Sequence, residues 1–202
     1  MSHFAVLVFA KDENEADRLM APYQENNVGD CPKQYLKFYP DDESEVDPET
    51  GVRGYWENPN AKWDYYRPWS RSRRTVKDRA YPCRVSETAW DATPSERKKA
   101  ADDWAAIIRG NKDEMFERGL YFKRDYYLEE FGDEETYISE NSGLYPWAFI
   151  TPDGTWHQKG NMGWLAMNDA SRESRKKYRE ELNDAIKSVP QDIMVFMFDC
   201  HI

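Results

Sequence analysis

Two apolar runs bracket the chain. Residues 3–10 (HFAVLVFA) and 192–200 (DIMVFMFDC) are apolar almost without interruption over the length of a strand. A strand that is apolar on both faces persists only where both are covered, so each belongs in the middle of a sheet. A different period marks residues 169–189, where Tyr178, Leu182, Ile186 and Val189 recur at i, i+4, i+8 and i+11 among charges. That spacing predicts an amphipathic helix, ended by Pro190. Thr93-Pro94-Ser95-Glu96 is a capping box with proline at the first helical position. The helix it opens sets Ala100, Trp104 and Ile107 or Ile108 on one face and stops near Gly110.

Shorter elements fill the gaps. Residues 12–20 and 111–118 read as short helices, the latter followed by YFKRDYYLEEF, and residues 31–39 as an irregular loop and a strand. Residues 62–66 are strand-like by ring content, with Pro68 excluding a central strand that runs through it. Residues 144–150, Pro152-Asp153-Gly154 and residues 155–158 form the pattern of a β-hairpin. Residues 41–49 (DDESEVDPE) hold six acids and no base, a solvated loop or mobile insertion, and residues 69–79 lack apolar periodicity. Together these predict a single α+β domain: a mainly antiparallel sheet with the N- and C-terminal strands central, helices packed on it, and exposed insertions near 41–52 and 68–92.

Composition narrows the setting. A chain of 202 residues suits one core. With 15% aromatic and 33% charged residues, rings must supply much of that core. Cys31, Cys83 and Cys200 are widely spaced with no CxxC, as expected of a reduced, cytosolic protein. The first residues lack a basic n-region, and no run approaches the roughly 18 apolar residues of a membrane span. A soluble, cytoplasmic protein with no membrane partner is expected.

Charge singles out one stretch. Residues 53–79 hold eight bases against three acids, net +5 in a chain of net −10, which leaves −15 for the remainder. That balance excludes wrapping duplex DNA with the whole surface. Aromatic rings interleaved with guanidinium groups suit stacked bases and phosphates. The candidate ligand-binding residues are Trp56, Lys62, Trp63, Tyr66, Arg67, Trp69, Arg71, Arg73 and Arg74, with a nucleotide or single-stranded nucleic acid as partner. The competing expectation is that the rings are core and that acids at 41–49 and 129–135 neutralise the arginines.

The three histidines are the other candidate chemistry. If the first and last strands are antiparallel neighbours, His3 meets His201 beside Asp199, a set suited to acid–base chemistry or a transition metal. Strand parity sends Cys200 to the opposite face. No HxH, HExxH or CxxC accompanies them, and neither a metal nor a cofactor is expected. His157, beside Trp156 in the hairpin, reads as a surface residue. There is no GxSxG and no GxxxxGK[ST], which removes serine hydrolase and P-loop chemistry.

The blocks SHFAVLVFA, APYQEN with GDCPKQYLKFY, GYWENPNAKWDYY, TPDGTWHQKGNMGW and the ending DCHI occur in this order along about half of the chain. In them the chain resembles a functionally uncharacterised family of small bacteriophage and prophage proteins. The resemblance implies activity inside a bacterial host and carries no catalytic residues with it. Where similar proteins continue the aromatic block with a Gly-Gly-Arg-Trp turn, this chain has Pro68-Trp69-Ser70-Arg71. The expected function is a phage accessory protein, of anti-defence type, that binds a nucleotide, a nucleotide signal or a nucleic-acid strand. The alternatives are an acidic inhibitor that mimics nucleic acid on a host defence protein, and a small hydrolase using His3, Asp199 and His201.

Overall fold

The two apolar runs pair. In the computed structural model, which describes residues 3–69, 81–162 and 168–202, β1 (His3–Ala10) and β8 (Met194–His201) lie antiparallel over their full length, from His3 opposite His201 to Ala10 opposite Met194. β4 (Tyr65–Pro68) and β5 (Cys83–Arg84) share the outer edge of β8. On the other side β1 takes β6 (Ala148–Ile150) in parallel, and β6 takes β7 (Trp156–Gln158) across the Pro152-Asp153-Gly154 turn. The strand order is therefore β4-β8-β1-β6-β7, with β1–β6 the one parallel pair. Pro68 closes β4 on the edge of the sheet, where a missing N–H costs no ladder bond.

Helices cover both faces. α1 (Glu13–Met20), capped by the Asp12 carboxylate, lays Ala16, Leu19 and Met20 against Phe4, Val6, Val8, Phe196 and Phe198. α6 (Arg172–Ser188) lays Tyr178, Leu182 and Ala185 on Leu7, Phe9, Phe149 and Val195 of the opposite face. The i, i+4 period of α6 thus reports the buried stripe, in which a large apolar side chain such as Leu182 contributes about 1.5–3 kcal/mol. α2 (Pro94–Arg109) begins at the Thr93/Glu96 capping box and ends at Gly110 in the left-handed conformation that glycine adopts freely. It packs Trp104 and Ile107 against α3 (Lys112–Glu117), α4 (Arg124–Phe131) and α5 (Glu134–Asn141), a helical layer with its own apolar cluster. Ile108 stays 45% exposed, which settles the choice between the two isoleucines.

Several elements differ from their sequence signals. Only residues 148–150 of the run 144–150 are strand, because Tyr145 and Pro146 spend their backbone groups on Lys159 and the Tyr178 hydroxyl. Residues 33–35 turn before β2 (Lys37–Pro40), whose partner β3 (Gly54–Glu57) holds the aromatic block. The acids between them fold onto the chain: Asp47 accepts from the Trp56 indole and from the amides of Glu49 and Thr50. Of the segment 68–92, residues 70–80 lie outside the described residues. Within residues 81–92, Val85 is 1% exposed and Trp90 lies near Phe9. Among the described residues no helix is long and apolar enough to cross a membrane.

Candidate functional site

Register builds a polar cluster at the open end of the sheet. His3 stands opposite His201, Tyr65 of β4 faces His201 from the other side, and Arg67 stands opposite Asp199. Period-two alternation puts all five side chains on one face, the one α6 covers farther along. His3 Nδ1 lies 3.1 Å from Asp199 Oδ1, and Arg67 donates from Nε and Nη2 to Asp199 Oδ2 at 3.0 and 2.8 Å. Asp64, one residue before β4, reaches the second imidazole: both of its oxygens are 2.8 Å from His201 Nδ1. The imidazole rings are 5.1 Å apart and inclined by 69°, and Tyr65 stacks on His201 at 4.6 Å.

Two features give this cluster chemical meaning. Each imidazole is held through Nδ1 by a different carboxylate, which in a neutral ring fixes the proton on Nδ1 and leaves Nε2 as the acceptor. The Nε2 of His201, a residue 8% exposed, is buried and has no hydrogen-bond partner among the described residues. A buried acceptor without a donor costs about 1–3 kcal/mol. Beside this pair, Tyr65 is 47% exposed and the Arg67 side chain is half exposed. Cys200 faces the other way, as parity requires, and burial holds its thiol well above the usual range, so it supplies no thiolate here.

The six described candidates of the aromatic and basic segment lie on different faces. Of these six, Arg67 alone reaches the imidazole cluster, and its anion is Asp199 rather than the acids at 41–49 or 129–135. Trp63 is 2% exposed and packs edge-on to Tyr66, so its ring belongs to the core and offers no face to a ligand. Tyr66 points to the α1 face and donates to Asp17; burial first, then Asp17, raises its hydroxyl. Trp56 sits on β3 beside Phe38 and Lys33. Lys62 lines a small cleft with Phe4, Trp147 and Trp156 on that same opposite face. Trp69 packs against the α6 face of the sheet. Arg71, Arg73 and Arg74 lie outside the described residues.

Asp64 and Tyr65 were absent from the candidates read in the sequence. Their signal needed the register of a third strand, which no local pattern encodes. His157 is tied into the fold: its ring stacks on Phe149 at 4.4 Å and its Nδ1 lies 2.9 Å from Glu181 of α6. Among the described residues no group of three or more His, Cys, Asp and Glu side chains is arranged to hold a metal ion.

Lys159, just beyond β7 at the same end of the sheet, carries a measurable pH effect. Its ammonium donates to Tyr145 O at 3.1 Å and lies 3.4 Å from the Tyr145 ring centroid and 5.8 Å from that of Tyr178. Loss of solvation lowers it to about 7, with Glu140 opposing the shift and Arg179 and Arg175 adding to it. The unfolded chain, with lysine near 10.4, then binds more protons between these values, so stability rises with pH across that window. Below about pH 7 the burial penalty is present in full. Relative to Lys159→Met, the wild type should gain about 1–2 kcal/mol from pH 7 to pH 9, the partial exposure of Lys159 trimming the about 1.4 kcal/mol per unit of linkage. Urea unfolding at both pH values checks this, and a pH-independent difference overturns it.

Comparison of the chain with protein-family models, with curated proteins and with solved structures finds no match.

Proposed function

We propose that the protein cleaves a phosphodiester bond of a nucleotide or a single nucleic-acid strand by acid–base chemistry shared between His3 and His201. The observation that carries this reading is the pair of imidazoles 5.1 Å apart, each held by its own carboxylate, with Nε2 of His201 left without a partner. One imidazole, neutral, takes the proton of an attacking hydroxyl as that oxygen bonds to phosphorus. The other, protonated, returns a proton to the leaving oxygen as its bond to phosphorus breaks. Arg67 has guanidinium donors beyond the two on Asp199 to turn toward the non-bridging oxygens. The exposed Tyr65 ring offers a base a stacking face. Given the resemblance to phage proteins, the substrate we propose is a nucleotide signal or a single strand of the bacterial host.

The test is product analysis on a panel of cyclic mononucleotides and short single-stranded RNA and DNA. Wild type should convert at least one, with a bell-shaped pH profile, and His3→Ala or His201→Ala should each lower the rate about 10²–10⁴-fold. Asp64→Asn, which alters what holds His201, should change the pH profile as well as the rate. A wild type inert toward the whole panel, or a His3/His201 double variant of unchanged rate, overturns catalysis. Binding without turnover is the second reading, favoured by the exposure of Tyr65 and Arg67. In that case the panel binds unchanged, in a salt-dependent way, and Arg67→Ala abolishes the salt-dependent part.

A further inference from the structure

Away from the imidazole cluster, a cleft of about 200 Å³ opens where the helical layer meets the sheet layer. Trp90 precedes α2, Arg97 belongs to its second turn, Ser139 to α5, Tyr145 to the connection into β6, and Arg179 and Asn183 to α6. No local sequence pattern joins these residues; the docking of α2 and α5 onto α6 does. Junctions between structural layers are where small-molecule sites preferentially form.

The chemistry of the lining favours an anion. Arg97 gives Nη2 to Glu135 at 3.3 Å, and Arg179 gives Nη2 to the Ser139 carbonyl. A guanidinium has five donors in a planar fork, so each arginine retains donors beyond these bonds. Arg179 is held over the Tyr145 ring at 4.2 Å, with Lys159 over the same ring at 3.4 Å. The Trp90 indole is likewise anchored, its Nε1 donating to Val85 O at 3.0 Å. Two cations from different helices, two rings and an amide thus line one cavity together with the Asp91 carboxylate, so the arginines outnumber the acid two to one. Its volume lies below the about 300 Å³ at which drug-sized ligands begin, so the ligand is small.

We propose that this cleft binds a small aromatic or heteroaromatic molecule bearing one carboxylate or phosphate, the anion on Arg97 and Arg179 and the ring against Trp90. The site is separate from the imidazole cluster, and it stands or falls independently of the phosphodiester reading.

The probes are benzoate, phenyl phosphate, acetate and inorganic phosphate, titrated into the full chain to about 10 mM, the weak end of measurable affinity. The readout is the indole N–H resonance of Trp90, assigned by Trp90→Phe. Saturable shifts with benzoate or phenyl phosphate, at least tenfold tighter than with acetate or inorganic phosphate, support the site as stated. Arg179→Lys keeps the charge and loses the fork, and should weaken phenyl phosphate binding at least tenfold while the melting temperature stays near that of wild type. Arg97→Gln should do the same, Asn183→Leu should narrow the cleft and block binding, and His201→Gln should leave the Trp90 shift with phenyl phosphate as in wild type. No saturable shift with any probe, or binding that survives both arginine substitutions, overturns the proposal. If the arginine variants unfold, Asn183→Leu alone decides: retained binding overturns it, lost binding in a folded protein supports it.

Discussion

A chain that ends at Met194 will show no cooperative unfolding transition. β8 is the strand that the rest of the sheet is assembled on: β1 pairs with its whole length, and β4 and β5 both pair with its other edge. Its side chains enter both sides of the core, with Phe196, Phe198 and Cys200 on the α1 face and Val195 and Met197 on the α6 face. At about 1.5–3 kcal/mol for each large apolar side chain buried, the loss is of the order of the 5–15 kcal/mol that holds a whole domain together. The truncation also strips the partner from one edge of β1 and leaves β4 and β5 with no strand to join. Thermal melting followed by circular dichroism and calorimetry decides the matter. A truncated chain with a cooperative melt near that of wild type would mean that β8 is peripheral.

That central pair was legible in the sequence because a strand with six or seven apolar positions in a row, Phe4 to Ala10 and Ile193 to Phe198, needs cover on both faces. The same holds for α2 and α6, whose caps and periods are local. α5 escaped notice for a physical reason: its buried residues Tyr137 and Ile138 are adjacent, so no period announces a face, and only the Asp133 cap marks its start. β3 was obscured by the rings that made its segment conspicuous, whereas β4, read over residues 62–66, begins three residues later. On β4, alternation divides neighbours between faces, so Tyr66 goes to the α1 side and Arg67 to the imidazole cluster. A stretch that is uniform in composition is therefore two surfaces in space. The approach of His3, His201 and Asp199 followed from strand parity once the two terminal strands pair antiparallel, whereas Asp64 and Tyr65 joined them through a pairing between residues more than 130 positions apart.

Replacing Arg175 by alanine will cost about 3–5 kcal/mol, the range for removing one partner of a buried ion pair. The residue is 6% exposed, yet its guanidinium satisfies groups from three segments. Nε lies 2.8 Å from Glu140 Oε2 of α5 as an ion pair without hydrogen-bond alignment, Nη1 pairs with the Glu130 carboxylate and donates to Ala170 O, and Nη2 donates to Glu130 O at the end of α4. The pair with Glu140 is the costly one to break, since that side chain is 10% exposed against 32% for Glu130. Burial already raises the Glu140 carboxyl despite the arginine beside it, so the charge is only partly compensated. Taking Arg175 away leaves that charge unpaired, and the carboxyl must either keep it at a cost or take up a proton. The sign of the pH dependence follows. A carboxyl raised in the folded state stabilises the fold fully below its unfolded value near 4.3, and that contribution is lost as pH rises through the folded value. The deficit of Arg175→Ala should accordingly be larger at pH 7 than at pH 4. Arg175→Met combined with Glu140→Leu should recover at least half of it at pH 7, because two apolar side chains replace the pair and no buried charge remains. Urea unfolding of the single and double variants at both pH values measures each term. An Arg175→Ala deficit below about 1 kcal/mol, or one that does not grow with pH, would mean that this contact between α6 and the helical layer behaves as an exposed ion pair.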